Sequence, residues 1–175
     1  FLNVQPVIPM SIGEEWNLIS RTIVPVIHQD EIFPGAGSQS GLGDTVQSLF
    51  FSPKALTDSG WTWGLGPVFL VPTASDDLLG GEKWGAGPTG VALRQTRSGW
   101  TYGALFNHIW SFTGEDDRAD INATFLQPFI SKSLGQGRTI STSLESTYDW
   151  EREQCTVPIN IGYRKVSRIG KQLLS

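Results

Sequence analysis

Between Trp61 and Leu93 one phrase is written twice, W-G-L-G-P at residues 63–67 and W-G-A-G-P at residues 84–88, 21 residues later. Each copy opens a run that alternates in bulk. In the first, Trp61, Trp63, Leu65, Pro67, Phe69 and Val71 fall on one side, while Thr62, Gly64 and Gly66 fall on the other. A period of two marks an extended strand, because successive side chains leave opposite faces of a sheet. The polar stretch T-A-S-D-D-L-L-G-G-E between the copies reads as a loop. The unit is an up-and-down hairpin, and the same pattern runs through the rest of the chain.

In the first strand Leu2, Val4, Pro6, Ile8 and Met10 share a face, with Asn3 and Gln5 opposite. A second strand over residues 16–28 carries Asn17 and Arg21 away from its apolar side. Residues 29–41 read as a long polar loop. The third strand, about 43–52, alternates poorly: Val46 and Phe50 share a side with Asp44 and Ser48, which leaves Gln47 on the apolar side. Beyond the repeat, Trp100, Tyr102, Ala104, Phe106, His108, Trp110 and Phe112 line one face of a strand. Further strands follow over residues 121–133, 139–150 and 155–164. The phrase F-L-Q-P-F-I at 125–130 echoes L-N-V-Q-P-V-I at 2–8, and the turn R-I-G-K-Q starts a tenth strand. The nine full strands are longer than the usual five or six residues, and roughly 9 to 11 residues suffice for a tilted strand to cross a bilayer.

A length of 175 residues fits one domain, and a net charge of -4 with no basic stripe argues against a nucleic-acid partner. The single cysteine, Cys155, excludes an internal disulfide framework and a cysteine-built zinc site, and reads as a small apolar strand residue. No run of 18 apolar residues occurs, so a helical membrane protein is excluded, whereas a membrane β-barrel is not. Short turns near 12–15, 96–99, 134–138 and 168–171 alternate with longer segments near 29–41, 73–82 and 113–120, the asymmetry of outer-membrane barrels. Trp16, Trp61, Trp84, Trp100, Trp110 and Trp150 fall near strand ends, where an amphipathic ring suits the headgroup level of a membrane. The expected fold is an all-β, antiparallel, up-and-down transmembrane barrel. A soluble sandwich or lipocalin-like ligand-binding barrel alternates in the same way but turns its polar face outward, and the pattern alone does not say which face is outside.

The phrases G-L-G-D at 41–44, F-F-S-P at 50–53 and W-G-L-G-P-V-F-L-V-P-T-A-S-D-D at 63–77 carry a resemblance. So do E-K-W-G-A-G-P-T at 82–89, W-T-Y-G-A-L-F-N-H-I-W-S-F-T-G at 100–114, F-L-Q-P-F at 125–129 and E-S-T-Y-D-W-E at 145–151. Over nearly its whole length the chain resembles bacterial outer-membrane transporters related to the MetA pathway of phenol degradation, also labelled neuromedin U-like. That resemblance implies a Gram-negative outer-membrane barrel of about twelve strands, with one strand before the first found here and two after the last. An odd number of strands does not suit a single-chain bacterial barrel. Residues 1–175 are therefore expected to be one barrel domain that lacks its N-terminal strand and its last C-terminal strands.

In such a barrel the polar side of the strands lines the lumen, and the candidates are Asn3, Gln5, Asn17, Arg21, Asn107, Gln127, Glu145, Thr147, Asp149, Asn160 and Arg164. Charges of both signs argue against a strongly ion-selective pore, and Glu145 and Arg164, on adjacent strands, are expected to pair and to fill the interior rather than mark a substrate path. The function expected is passage of small, aromatic or hydrophobic compounds. A plugged structural or adhesive barrel is the alternative. Outer-membrane lipid and lipopolysaccharide are the expected partners, along with a small-molecule substrate. No cofactor and no catalysis are expected: His28 and His108 are the only histidines, and neither a G-x-S-x-G elbow nor an H-E-x-x-H motif occurs. The acidic loops around Asp76–Asp77 and residues 115–120 read as solvated tips rather than as a Ca²⁺ site, since neither has EF-hand spacing.

Overall fold

A computed structural model describes residues 2–30, 37–169 and 172–174. Every described element is a strand, and nine of them form one antiparallel sheet in simple sequence order. They are β1 (Leu2–Val4 and Val7–Ile12), β2 (Trp16–Asp30), β3 (Ser38–Leu42 and Thr45–Pro53), β4 (Trp61–Val71) and β5 (Lys83–Gln95). There follow β6 (Trp100–Gly114), β7 (Asn122–Gly135), β8 (Arg138–Leu144 and Ser146–Asp149) and β9 (Gln154–Thr156 and Ile159–Lys165). Each strand pairs with the one before and after it, so no connection crosses the sheet. The sheet curls into a half-barrel with β1 and β9 at its edges.

The two faces differ: the concave one mixes buried polar and apolar residues, and the convex one is largely apolar and exposed. Ser48, Phe50 and Ser52 of β3, Val68 and Leu70 of β4, Thr89 of β5, and Leu105 and Asn107 of β6 are all buried on the concave side. The convex side carries large apolar residues that stay exposed, among them Leu65, Phe69, Phe106, Leu126 and Ile161. Alternation in the sequence therefore separates the two faces correctly, and the curl of the sheet makes the apolar one the outside.

Connections at one end are 13–15, 54–60, 96–99 and 136–137; those at the other are 31–37, 72–82, 115–121 and 150–153. The tightest joins β7 to β8 through Gln136 and Gly137, with φ of 52° and 72°. Two successive positive φ values make the type I′ hairpin turn that matches strand twist. The expected loop over 29–41 is shorter than the sequence suggested. Asp30 pairs with Ser38 and Gln29 with Gln39, because the polar residues there alternate across a continued ladder. Residues 31–36 lie outside the described residues. The third strand starts earlier than expected and breaks at Gly43–Asp44, which explains its poor alternation. The expected tenth strand does not join the sheet: Gln172–Leu174 pairs with Ser167–Ile169 in a separate hairpin.

The repeated phrase has a backbone cause. Interpolating the register sets Leu49 opposite Pro67 and His108 opposite Pro88, and the ladders skip both positions. Proline has no N–H to offer the facing carbonyl. That carbonyl lies instead against the preceding glycine: a methyl added at Gly66 would strike the Leu49 oxygen, and one at Gly87 the His108 oxygen. Only a Cα hydrogen fits there, and a Cα–H···O contact takes the place of the missing bond. Pro67 and Pro88 are also cross-strand partners, so the two copies meet in the middle of the sheet.

Gln47, on the apolar face, is satisfied within that face. Its Oε1 accepts from Thr22 Oγ1 at 2.6 Å, and its Nε2 donates to Ser20 Oγ at 2.9 Å. A polar side chain whose bonds close locally costs far less in an apolar setting than an unpaired one.

Candidate functional site

The register puts the polar candidates on the concave face. Asn17 and Arg21 lie opposite the buried Ser52 and Ser48, and Asn107 lies between Thr89 and Phe125. Gln127 lies opposite Leu105, Thr147 opposite Phe125, Asp149 opposite Ala123, Asn160 opposite Ser143 and Arg164 opposite Thr139. Asn3 faces Pro25, and Gln5 sits at the break in β1.

These residues do not form one ring. Gln5 Oε1 accepts a hydrogen bond from Arg21 Nη2 at 3.2 Å. Across the trough, Gln127 Nε2 donates to Glu145 Oε1 at 3.0 Å. Burial strips water from the Arg21 guanidinium, and the Glu145 carboxylate of β8 adds a smaller, opposing electrostatic effect on it from across the interior. The expected Glu145–Arg164 pair does not form. Glu145 N donates to Pro158 O, whereas Arg164 lies beside Thr139, at the far end of β8. Asp149 is spent on the turn after β8, its Oδ1 accepting from the amides of Glu151 and Arg152 at 3.0 and 3.1 Å.

Beside Arg21 lies a cavity of about 260 Å³. Arg21, Ile23, Val46 and Leu70 supply one wall; Asn107, Ile109, Ala123, Phe125 and Thr147 supply the other, with Ile121 at the top. Apart from Arg21, Asn107 and Thr147 its lining is apolar. Towards the long connections a second cavity, of about 290 Å³, shares Ile121 and Ala123 with the first. It is polar, with Arg118, Asp120, Asp149 and Arg152 around it.

The 72–82 connection folds across this mouth. Asp44, at the break in β3, accepts from the amides of Ala74 (3.2 Å) and Gly81 (2.6 Å). Leu79 is buried against Gly41. On the other side Arg118 pairs with Glu82 and donates to Asp77 O at 2.6 Å. The hydrogen bond to Glu82 raises the Arg118 pKa above its ordinary value. Lys83 Nζ reaches Asp120 at 3.3 Å. The acidic loop residues Asp44, Glu82 and Asp120 are thus engaged by the protein itself, and among the described residues no cluster of three metal-ligating side chains occurs.

The tryptophans divide between the two ends. Trp16, Trp61 and Trp100 stand at the short-turn end, where Trp16 meets Trp63 edge-to-face at 6.2 Å and Trp61 meets Tyr102 at 5.7 Å. Trp84, Trp110 and Trp150 stand at the other end, near Tyr148. There Thr124 Oγ1 contacts His108 Nδ1 at 2.7 Å and accepts from Trp150 Nε1 at 2.9 Å, which ties β6, β7 and the end of β8 together on the outer face. Sequence reasoning missed Trp63, Tyr102 and Tyr148 as ring members, although their strand-end positions carried the signal. It had no access to the role of Thr124, which depends on register.

His28 Nδ1 contacts Ser40 Oγ at 2.6 Å, and its Nε2 lies 3.5 Å from Asp30. The histidine and aspartate side chains are 63% and 68% exposed, on the convex face.

No curated protein and no solved structure matches the chain. A family model matches residues 3–165, nearly the whole length described above. The chain therefore belongs to the family described as Putative MetA-pathway of phenol degradation.

Proposed function

We propose that this protein sits in the outer membrane of a Gram-negative cell and carries small, largely apolar compounds through its interior. The observation that carries the reading is the inverted polarity of the sheet. Its convex face is apolar and exposed, and its concave face holds Arg21, Glu145, Asn107 and Gln127. Water makes that arrangement costly, and hydrocarbon makes it favourable.

The aromatic rings support the same setting. Trp100 and Trp110 are ten residues apart on β6. At ~3.3 Å per residue and a tilt of 35–45°, that is about 25 Å along the barrel axis. It equals the height of the apolar band of outer-membrane barrels. Lipid and lipopolysaccharide are then the partners of the convex face. No catalytic step is assigned to the chain.

The test is tryptophan fluorescence of the protein refolded into liposomes whose lipids are brominated at different depths. Quenching strongest near the headgroups supports the reading; absence of quenching with soluble monomers refutes it. The 72–82 connection across the mouth favours a second reading, a barrel whose lumen is closed. Liposome swelling separates the two, since a closed barrel admits no solute.

A further inference from the structure

We propose that Arg94, Lys132, Arg138 and Lys165 make the short-turn rim of the convex face a binding surface for anionic phospholipid headgroups. The proposal rests on the reading of the convex face as the side turned to lipid, and it names which lipid and at which end.

Placement comes first. The register sets Arg94 of β5 between Trp61 and Tyr102, and Lys132 of β7 between Trp100 and Ile140. Arg138 of β8 and Lys165 of β9 stand directly opposite each other. All four lie at the short-turn ends of their strands, on the side of the exposed Trp100, Ile140 and Tyr163. Among the described residues they are the strand cations of this face: Arg21 and Arg164 belong to the concave one, and Lys83 is buried.

Partnering comes second. Lys132 Nζ stands 4.9 Å from the centroid of the Trp100 ring and donates to Ser98 O at 2.5 Å. Its stem covers apolar surface while its charge reaches the turn. Among the described residues none of the four meets a carboxylate. The ion pairs are those of His28, Lys83, Arg118 and Arg152, at the other end. Arg138 and Lys165, like charges facing each other with no acid beside them, repel. An anion lying between them removes that cost.

The nature of the anion comes third. Below the rim the wall is apolar and open, with Ile140, Ile161 and Tyr163 all exposed. A ligand with a phosphate and hydrocarbon chains satisfies both parts. Tight turns mark the periplasmic end of outer-membrane barrels, where the leaflet is phospholipid and not lipopolysaccharide. At the opposite end Arg118 and Arg152 are already set against Glu82 and Asp149. Charge complementarity therefore singles out the short-turn rim.

The test uses the full protein refolded into phosphatidylcholine liposomes at low salt. Tryptophan quenching is measured with a small share of brominated phosphatidylglycerol or, separately, brominated phosphatidylcholine. The wild type should prefer the anionic lipid by about fivefold or more, the scale of one basic residue at an anionic surface. Added salt should shrink that preference. Replacing Lys132, Arg138 and Lys165 together by Gln should bring it to parity. Arg138→Glu gives Lys165 a partner across the ladder, which favours the sheet, and should lower the preference as well.

Quenching by both lipids without preference overturns the proposal and leaves the membrane reading standing, as does a preference that survives the triple replacement. Absence of quenching by either lipid takes down the membrane reading and the proposal together. Unlabelled phosphatidylglycerol should relieve the quenching by its brominated form better than lipid A does; the reverse order overturns the phospholipid assignment.

Discussion

Replacing Gly66 by alanine tests the account of the repeated Gly-Pro phrase. The added methyl collides with the Leu49 carbonyl oxygen, a backbone atom that no side-chain rotation can move. Relief requires β3 and β4 to separate locally. The ladder contacts flanking the gap, Ser48 with Val68 and Phe51 with Leu65, are the first to suffer. Losing one or two backbone hydrogen bonds at ~0.5–1.5 kcal/mol each, with overpacking of ~1–3 kcal/mol, gives a destabilisation of about 3 kcal/mol. Gly162→Ala is the control. Its methyl would meet only Ser141 Oγ at 2.8 Å, a hydroxyl that can rotate away, so its cost should stay below about 1 kcal/mol. The decisive variant is Gly66→Ala combined with Pro67→Ala. Alanine at 67 restores an N–H for the Leu49 carbonyl and draws it away from position 66, so the pair should cost less than Gly66→Ala alone. Denaturant unfolding of the refolded protein and these variants, with Pro67→Ala alone completing the cycle, is followed by tryptophan fluorescence. Additive single effects, or a Gly66→Ala as mild as Gly162→Ala, would refute the reasoning.

Asp44→Ala removes the acceptor of the Ala74 and Gly81 amides, and limited proteolysis should then cut within 72–82 about tenfold faster or more, with the sheet intact by circular dichroism. Thr124→Val keeps the shape but removes the partner shared by His108 and Trp150. It should cost about 1–3 kcal/mol by denaturant unfolding and shift the emission of Trp150. His28→Ala removes the centre of the exposed chain from Ser40 to Asp30; hydrolysis of a nitrophenyl ester should be at background in the wild type and unchanged in the variant.

Alternation made the two faces legible because it is a local property: each residue's side follows from its neighbour's, and nine strands could be counted without knowing how they pair. Breaks were harder to see. Gly43–Asp44 interrupts β3 because Asp44 turns to hold the 72–82 connection, a demand set by residues far along the chain. Gln47 looked misplaced for a similar reason, since Thr22 and Ser20 satisfy it from the adjacent strand. The site was the least legible part. Adjacency in sequence order suggested that Glu145 would meet Arg164 on the next strand, but the register sets Arg164 beside Thr139. Curling the sheet carried Glu145 towards Arg21 instead, six strands away in the sheet order. A chain of alternating residues fixes which residues share a face; only curvature fixes which face is inward and what an inward residue faces. The Q-P echo sets a glutamine beside each of these two charged groups, Gln5 beside Arg21 and Gln127 beside Glu145.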